Sequence, residues 1–144
     1  MINFELDKLD YKEIEEFSIL RYTEILSDDI KKLIYFFNEE YNWDGMFTFD
    51  DIQNRMNKGH YLFILYYGHT AIGYVFYEPK ENSEFYLYNL YVTNCYERPN
   101  YSAQWFVNKS IGMLPTPISK ISCICEDWHS AAHNVFKLNG FKTK

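Results

Sequence analysis

The chain has 144 residues, of which 47% are hydrophobic and 20% aromatic, and a formal net charge of −6. This length predicts one domain over residues 1–144, and the apolar content excludes a disordered chain. Residues 1–84 have 8 basic and 17 acidic side chains, whereas residues 85–144 have 6 and 3. Because nucleic-acid binding needs clustered cations, this distribution argues against nucleic acid as a partner. It permits a small anion in the second half.

Targeting signals are not evident in the sequence. The N-terminus lacks a basic region followed by an apolar run, and no stretch reaches the length of a transmembrane span. We therefore expect neither a signal peptide nor a membrane partner. The three cysteines, Cys95, Cys123 and Cys125, are an odd number without a C-x-x-C motif, which favours a reduced setting. These features predict a cytoplasmic protein.

The first half of the chain predicts a strand followed by two helices. Residues 17–25 are rich in β-formers, and Ser27 is a candidate N-cap for a helix over 28–41. Apolar residues recur through that helix at helical spacing. Thr48 is a candidate N-cap for a second helix, which ends near Gly59.

The remaining elements alternate between apolar runs and helical periods. Residues 61–67 and 71–77 predict a hairpin, because Gly68-His-Thr70 separates two apolar runs. Further strands are predicted over 84–93 and 118–125, and helices over 102–113 and 129–139. This order indicates an α/β (α+β) fold, with one mixed central sheet and helices on both faces. The aromatic excess over 61–91 then fits core packing better than a nucleic-acid stacking platform.

The stretch from Ile118 to Phe141 reads as a strand, a turn, an amphipathic helix, a glycine and an aromatic residue. In this order it resembles the second half of the GNAT superfamily of acyl-CoA N-acyltransferases, and the resemblance extends over roughly residues 17–141. The family pattern in this helix is Asn, Ala three residues on, Tyr seven on, and Gly-Phe eleven and twelve on. Counting back from Gly140-Phe141 places His129, Ala132 and Phe136 at those positions.

The resemblance implies roles for these positions. Ala132 fits close helix–sheet packing, and Gly140 fits a helix C-cap. Phe136 replaces the tyrosine that often protonates the departing CoA thiolate, and it has no ionisable hydrogen. His129 replaces the usual asparagine.

The resemblance also implies a binding site for acetyl-CoA. In the family, the pyrophosphate lies against the fourth strand and the following helix, with the pattern Arg/Gln-x-x-Gly-x-Gly/Ala. The candidate cofactor-binding residues here are Val92, Arg98, Asn100, Tyr101, Ser102 and Ala103. Arg98 and Ala103 fit the pattern, but Tyr101 stands where glycine is expected, and glycine normally permits close approach of the phosphate. The alternative is an ordinary loop before an amphipathic helix.

Catalytic residues are less well defined by the sequence. Glu84 and Glu126 are candidates for deprotonating an amine, and no spacing rule selects either one. His129 is a third catalytic candidate, which could donate a hydrogen bond. The acidic and aromatic segment 38–51 lies where GNAT-like enzymes commonly form the acceptor site, and its side chains suit an ammonium group. A solvated acidic loop that caps a helix explains the same segment equally well.

The histidines of the last predicted helix offer a candidate metal site. His129 and His133 lie four residues apart, with Cys125 upstream, and two such histidines can chelate zinc. The chain has no H-E-x-x-H motif, and Cys123 and Cys125 point to the same face of a strand, so we expect no metal. Cys125 as a nucleophile is a less favoured alternative, because free cysteines are mostly buried hydrophobic residues.

The sequence is compatible with two functions. The first is an N-acyltransferase that moves an acetyl group from acetyl-CoA to an amine of a small molecule or a protein. The second is a catalytically inactive GNAT-like binding or assembly module. The chain stops four residues past Gly140, whereas GNAT-like domains usually continue into a further strand pair. We therefore expect Met1–Leu9 or a partner chain to cover a sheet edge, the latter in a homo-oligomer or a larger assembly.

Overall fold

The computed structural model describes residues 16–23, 28–41, 48–94, 101–124 and 130–142. Within these ranges the chain forms five strands and four helices. The strands are β1 (Phe17–Tyr22), β2 (Tyr61–Tyr67), β3 (Thr70–Pro79), β4 (Glu84–Val92) and β5 (Lys120–Cys123). The helices are α1 (Asp28–Tyr41), α2 (Phe49–Asn57), α3 (Ser102–Gly112) and α4 (Ser130–Leu138).

The five strands form one mixed sheet in the order β1-β2-β3-β4-β5. The first three neighbouring pairs are antiparallel, and β4 and β5 are parallel. The β2–β3 hairpin turns at Gly68, whose φ of 63° lies in the region that favours glycine. The predicted mixed sheet and hairpin are therefore confirmed.

Each face of the sheet packs against a pair of helices. On one face, α3 contributes Trp105, Phe106 and Val107 and α4 contributes Phe136 to a buried apolar cluster. On the other face, the buried residues of α1 and α2 pack on side chains of β2, β3 and β4; the helical members are Ile30, Leu33, Ile34, Phe37, Ile52 and Met56. The predicted arrangement of helices on both faces is confirmed.

Two helix ends follow local rules of capping. The Thr48 hydroxyl accepts a hydrogen bond from Asp51 N–H at 3.1 Å, and the Asp51 carboxylate accepts one from Thr48 N–H at 3.3 Å. This reciprocal pair is a capping box at the start of α2, as the sequence predicts. The other candidate cap, Ser27, lies outside the described residues.

The C-terminus of α4 forms a Schellman motif. Gly140 has a φ of 87°, and the N–H groups of Gly140 and Phe141 donate to the carbonyls of Lys137 and Phe136, both at 3.0 Å. The Phe136 and Phe141 rings pack with their centroids 5.4 Å apart, which is the apolar contact that accompanies this motif. The predicted C-cap at Gly140 is confirmed.

Three predicted strands are longer than the observed ones; the one predicted over 84–93 exceeds β4 by a single residue. The strand predicted over 17–25 ends at Tyr22. Tyr22 pairs with Leu62, and the antiparallel partner β2 has only one further residue in that direction. The strand predicted over 118–125 shortens to Lys120–Cys123. Ser119 lies outside it because its N–H and hydroxyl donate to the carbonyls of Ser83 and Asn82 before the ladder begins.

Within the described residues, β5 is the last strand on its side of the sheet. A groove of about 1070 Å³ runs along β5 and α4, and its lining includes Ile121, Cys123, His133 and Phe141. The segment Met1–Leu9, expected to cover a sheet edge, lies outside the described residues, so this expectation stays a prediction. No helix in the described ranges is both long and apolar enough to cross a bilayer.

Candidate functional site

The site is built around the second half of β4. β5 pairs with β4 only from Glu84–Lys120 to Leu87–Cys123, whereas β4 continues to Val92. From Tyr88 onward, β4 is therefore hydrogen-bonded to β3 on one side and has no described strand on the other. Among the described residues this opens a gap beside the C-terminal half of β4, and such gaps are a frequent location for ligands in α/β sheets.

A β-bulge lies at the start of this gap. Tyr74 pairs with Tyr91 and Phe76 pairs with Tyr88, so two residues of β4 lie opposite the single residue Val75 of β3. One of the two, Asn89, has a φ of 52°, a conformation that asparagine tolerates better than most residues. A bulge leaves a backbone group out of the ladder and redirects the neighbouring side chains. Such features are common next to active sites.

Gly73 of β3 permits the close approach of β4 at this point. A Cβ atom on Gly73 would lie 2.7 Å from the carbonyl oxygen of Tyr91 and 3.0 Å from Cγ2 of Val92. Because both atoms belong to residues that follow the bulge, a side chain at position 73 would displace that segment of β4. The glycine is therefore part of what shapes the gap.

Asn89 is oriented by a buried tyrosine. The hydroxyl of Tyr74 donates to Oδ1 of Asn89 at 3.3 Å. Tyr74 is only 1% exposed and lies against the rings of Phe37, Phe76 and Tyr91, so its hydroxyl is well fixed. Nδ2 of Asn89 is buried and finds no hydrogen-bond partner among the described residues. Buried polar atoms of this kind are rare, and each calls for an explanation.

The first turn of α3 forms the second part of the site. Trp105 N–H donates to the Tyr101 carbonyl at 2.9 Å, the first hydrogen bond of the helix. In any α-helix the N–H groups of the first turn point toward its N-terminal end. The first turn has no acidic residue. Such a helix start attracts anions through its N–H groups and its dipole, so it fits a phosphate group.

Tyr101 precedes this helix in an ordinary conformation. Its φ is −92°, which any L-residue adopts, so the position does not require glycine. Its side chain is 46% exposed and its ring lies edge-on to Phe17, with centroids 6.4 Å apart. The departure from the glycine of the family pattern therefore costs the backbone no strain.

Packing holds the first turn of α3 in place. The ring of Trp105 lies 4.7 Å from that of Phe17, and both residues are buried. From α4, Nδ2 of Asn139 donates to the Gln104 carbonyl at 3.2 Å and to the Val135 carbonyl at 3.0 Å. Contacts with β1 and α4 thus fix the helix start.

The predicted cofactor-binding residues fall into two groups. Val92 ends β4, and Tyr101, Ser102 and Ala103 form the start of α3 after the connection that follows this strand. Ser102 is fully buried, and Val92 and Ala103 are half-buried. Arg98 and Asn100 lie in the connection itself, outside the described residues.

The candidate catalytic residues are not brought to the gap by the described structure. Glu84 is the first residue of β4, five residues before Asn89, or about 17 Å along the strand. Its backbone N–H and carbonyl close the turn that precedes the strand. Glu126 and His129 lie outside the described residues. Phe136 is buried against Phe141 and supplies no acid.

A titratable cluster that sequence reasoning missed is formed by His60, which directly precedes β2, Glu78 of β3 and Tyr88 of β4. Nδ1 of His60 lies 2.5 Å from the Tyr88 hydroxyl, and its Nε2 lies 3.9 Å from a Glu78 carboxylate oxygen. Burial lowers the pKa of His60, opposed by Glu78 and assisted by the charges of Arg55, Lys58 and Lys80. Burial also disfavours the charged form of Tyr88, which raises the pKa of its hydroxyl. No spacing in the sequence signals this cluster, because strand pairing alone brings its members together.

The metal alternative receives no support from the described residues. No group of three or more His, Cys, Asp or Glu side chains in the described ranges is placed to hold a metal ion. His133 is half-buried and lines the groove along β5, whereas Cys125 and His129 lie outside the described residues. Cys123 packs against the apolar cluster of the α3 and α4 face, as predicted for a structural cysteine.

The fold is that of the GNAT acetyltransferases. An aminoglycoside acetyltransferase from an uncultured soil metagenomic sample, in complex with trehalose, aligns with a TM-score of 0.71 and 14% identity, over 92% of this chain and 93% of that one. A GNAT-family acetyltransferase from Bacillus cereus aligns with a TM-score of 0.67 and 17% identity, over 89% and 84%.

A third structure, Arabidopsis thaliana Naa50 in complex with the bisubstrate analogue CoA-Ac-MVNAL, has a TM-score of 0.65 and 16% identity, over 90% of this chain and 85% of that one. No protein-family model matches the sequence, and no curated protein matches it either. At these identities the similarity establishes the fold and leaves the reaction to the site residues.

Proposed function

We propose that this protein is an acyltransferase that moves an acetyl group from acetyl-CoA to an amine of a small molecule or a protein. The single observation that supports this most is the bulge at Asn89, placed where β4 loses β5 as a neighbour and before the anion-binding start of α3. An open edge of β4, followed in the chain by a helix start that favours anions, suits a long anionic cofactor with a reactive tip.

The residues divide the work between binding and orientation. The start of α3, through its positive dipole end, binds the pyrophosphate, and Arg98 supplies a cation. The bulged segment of β4 offers a backbone N–H to the acyl carbonyl oxygen. An acetyl thioester supplies an activated acyl group, so the protein contributes mainly orientation and charge stabilisation.

The acyl transfer itself balances without any further reactant. The amine nitrogen forms a bond to the acyl carbon, and the carbonyl electron pair moves to oxygen. As that pair returns, the C–S bond breaks, and the proton lost by nitrogen ends on the departing sulfur. Phe136 cannot deliver this proton. We therefore expect the proton to reach the sulfur through solvent or through the acceptor.

Calorimetric titration with acetyl-CoA tests the proposal before any acceptor is known. Ala103→Glu places a carboxylate in the first turn of α3, where it favours the helix dipole but repels phosphate. We expect acetyl-CoA to bind about 5- to 30-fold more weakly, as one added like charge at short range implies. Ala131→Glu makes the same change at the second residue of α4 and should leave binding unaltered.

Arg98→Ala provides an independent measurement. Loss of one charge-assisted hydrogen bond should weaken binding by about 1–3 kcal/mol. Absence of acetyl-CoA binding by the unmodified protein at millimolar concentration would overturn the proposal. That result would favour the inactive binding module, for which the replacement of the acidic tyrosine by Phe136 is the supporting observation.

A further inference from the structure

The backbone and side chain of Asn89 have features that are typical of ligand-binding residues. It lies on a bulge, in a left-handed conformation, at the point where β4 becomes free of β5. Strained backbone of this kind persists where the surrounding structure enforces it, and it clusters at functional sites. An ordinary turn asparagine would instead be exposed and hydrogen-bonded to its own backbone.

The side-chain amide of Asn89 makes a hydrogen bond through its oxygen but not through its nitrogen. Its Oδ1 accepts from the Tyr74 hydroxyl, and that tyrosine is fixed by three aromatic neighbours. This bond directs Nδ2 away from Tyr74. Nδ2 has no hydrogen-bond partner among the described residues, although asparagine as a whole is only half-buried at this position. An unpaired buried donor is costly, and a ligand oxygen removes that cost.

We propose that Nδ2 of Asn89 donates a hydrogen bond to the carbonyl oxygen of the bound acyl group, beside the backbone N–H of β4. This inference rests on the proposed acetyl-CoA site. It assigns Asn89 as a catalytic residue and Tyr74 as the positioning residue that fixes its amide. A neutral side-chain donor of this kind stabilises the negative charge that the oxygen gains during attack, and its effect is large where water is excluded.

Acyl recognition follows from the same hydrogen bond. CoA without an acyl group offers no carbonyl oxygen at this position, so Asn89 makes no contribution to its binding. The protein is therefore expected to bind acetyl-CoA more tightly than CoA. Removing the Asn89 amide should reduce that preference and leave the affinity for CoA itself nearly constant.

The decisive variant is Asn89→Gly, because glycine adopts positive φ without strain and keeps the bulge. Asn82→Gly is the matched control, since Asn82 has a φ of 59°, lies in the exposed turn before β4, and uses its backbone carbonyl to accept from Ser119. Asn89→Asp keeps the shape but replaces the donor with a carboxylate. Tyr74→Phe removes only the hydroxyl that orients the amide.

Calorimetry with acetyl-CoA and with CoA gives the first measurement. We expect Asn89→Gly to lower the ratio of the two affinities about 3- to 10-fold, the range of one neutral hydrogen bond. Asn89→Asp should lower it further, Tyr74→Phe should lower it partly, and Asn82→Gly should match the unmodified protein.

Infrared spectra of bound, carbonyl-labelled acetyl-CoA give a second measurement that needs no acceptor. The carbonyl stretch should move to higher frequency in Asn89→Gly, because a hydrogen bond to its oxygen has been removed. Unchanged affinity ratio and frequency in Asn89→Gly, with normal binding of both ligands, would overturn this inference alone. Failure of the unmodified protein to bind either ligand would overturn the proposed function and this inference with it.

Discussion

We expect Gly73→Ala to lower the stability of the fold. The substitution acts where β3 and β4 approach each other closely beside the gap. Gly73 lies in β3 between Leu65 of β2 and Val92 of β4, so it is paired on both sides. A Cβ there would lie 2.7 Å from the Tyr91 carbonyl oxygen and 3.0 Å from Cγ2 of Val92. Since one of these atoms belongs to the backbone, a side-chain rotation cannot relieve the overlap.

The magnitude follows from overpacking of a well-packed core. Inserting a methyl group that forces a backbone shift costs about 1–3 kcal/mol. Alanine gains some stability by restricting the unfolded chain, about 0.4–1 kcal/mol, which offsets only part of this cost. We therefore expect Gly73→Ala to lower the free energy of unfolding, and to weaken acetyl-CoA binding because Tyr91 and Val92 move.

The control is Gly112→Ala at the end of α3. A Cβ at Gly112 would meet no atom within 4 Å, and the residue is helical, so alanine should raise stability by about 0.5–1 kcal/mol. Urea unfolding followed by circular dichroism compares the two variants under the same conditions. If Gly73→Ala were as stable as Gly112→Ala, the close approach of β3 and β4 described above would be wrong.

Two further predictions concern buried polar groups on either face of the sheet. The Tyr77 hydroxyl donates to Oγ of Ser110 at 2.6 Å, and Oγ donates to the Val107 carbonyl at 3.2 Å. Tyr77→Phe should lower the free energy of unfolding, measured in urea, by about 1 kcal/mol. The double variant Tyr77→Phe, Ser110→Ala should lose less stability than the sum of the two single variants. Because the folded-state pKa of His60 lies below its ordinary value of 6.5, the unfolded chain binds more protons, so stability should fall as pH drops below about 6.5. His60→Gln should reduce that fall in thermal unfolding measured from pH 7 to pH 5, and an identical slope in both proteins would contradict the assignment.

The order and bounds of most elements were predictable because they depend on local patterns. The spacing of apolar residues predicts the helix over 28–41 and the strand over 61–67. The residue types of Thr48 and Gly140 predict the helix caps that they form. The bulge at Asn89 was not predictable, since it depends on the register of β4 against β3. The same applies to the contact of His60 with Tyr88, which lie 28 residues apart. Pairing across a sheet has no signature in spacing along the chain.

Two of the departures from the family pattern, at Tyr101 and Phe136, have different physical consequences. Tyr101 occupies a glycine position, but its φ of −92° and its exposed ring show that the backbone before α3 accepts it without strain. Phe136 occupies a tyrosine position and serves the Schellman motif, where its ring packs on Phe141. The first change leaves the start of α3 with the backbone that the proposed phosphate site needs. The second removes the acid that would protonate the thiolate in the proposed reaction, and it alters neither the start of α3 nor the bulge of β4. The proposed cofactor binding and the proposed turnover can therefore be tested separately, and binding is the property to measure first.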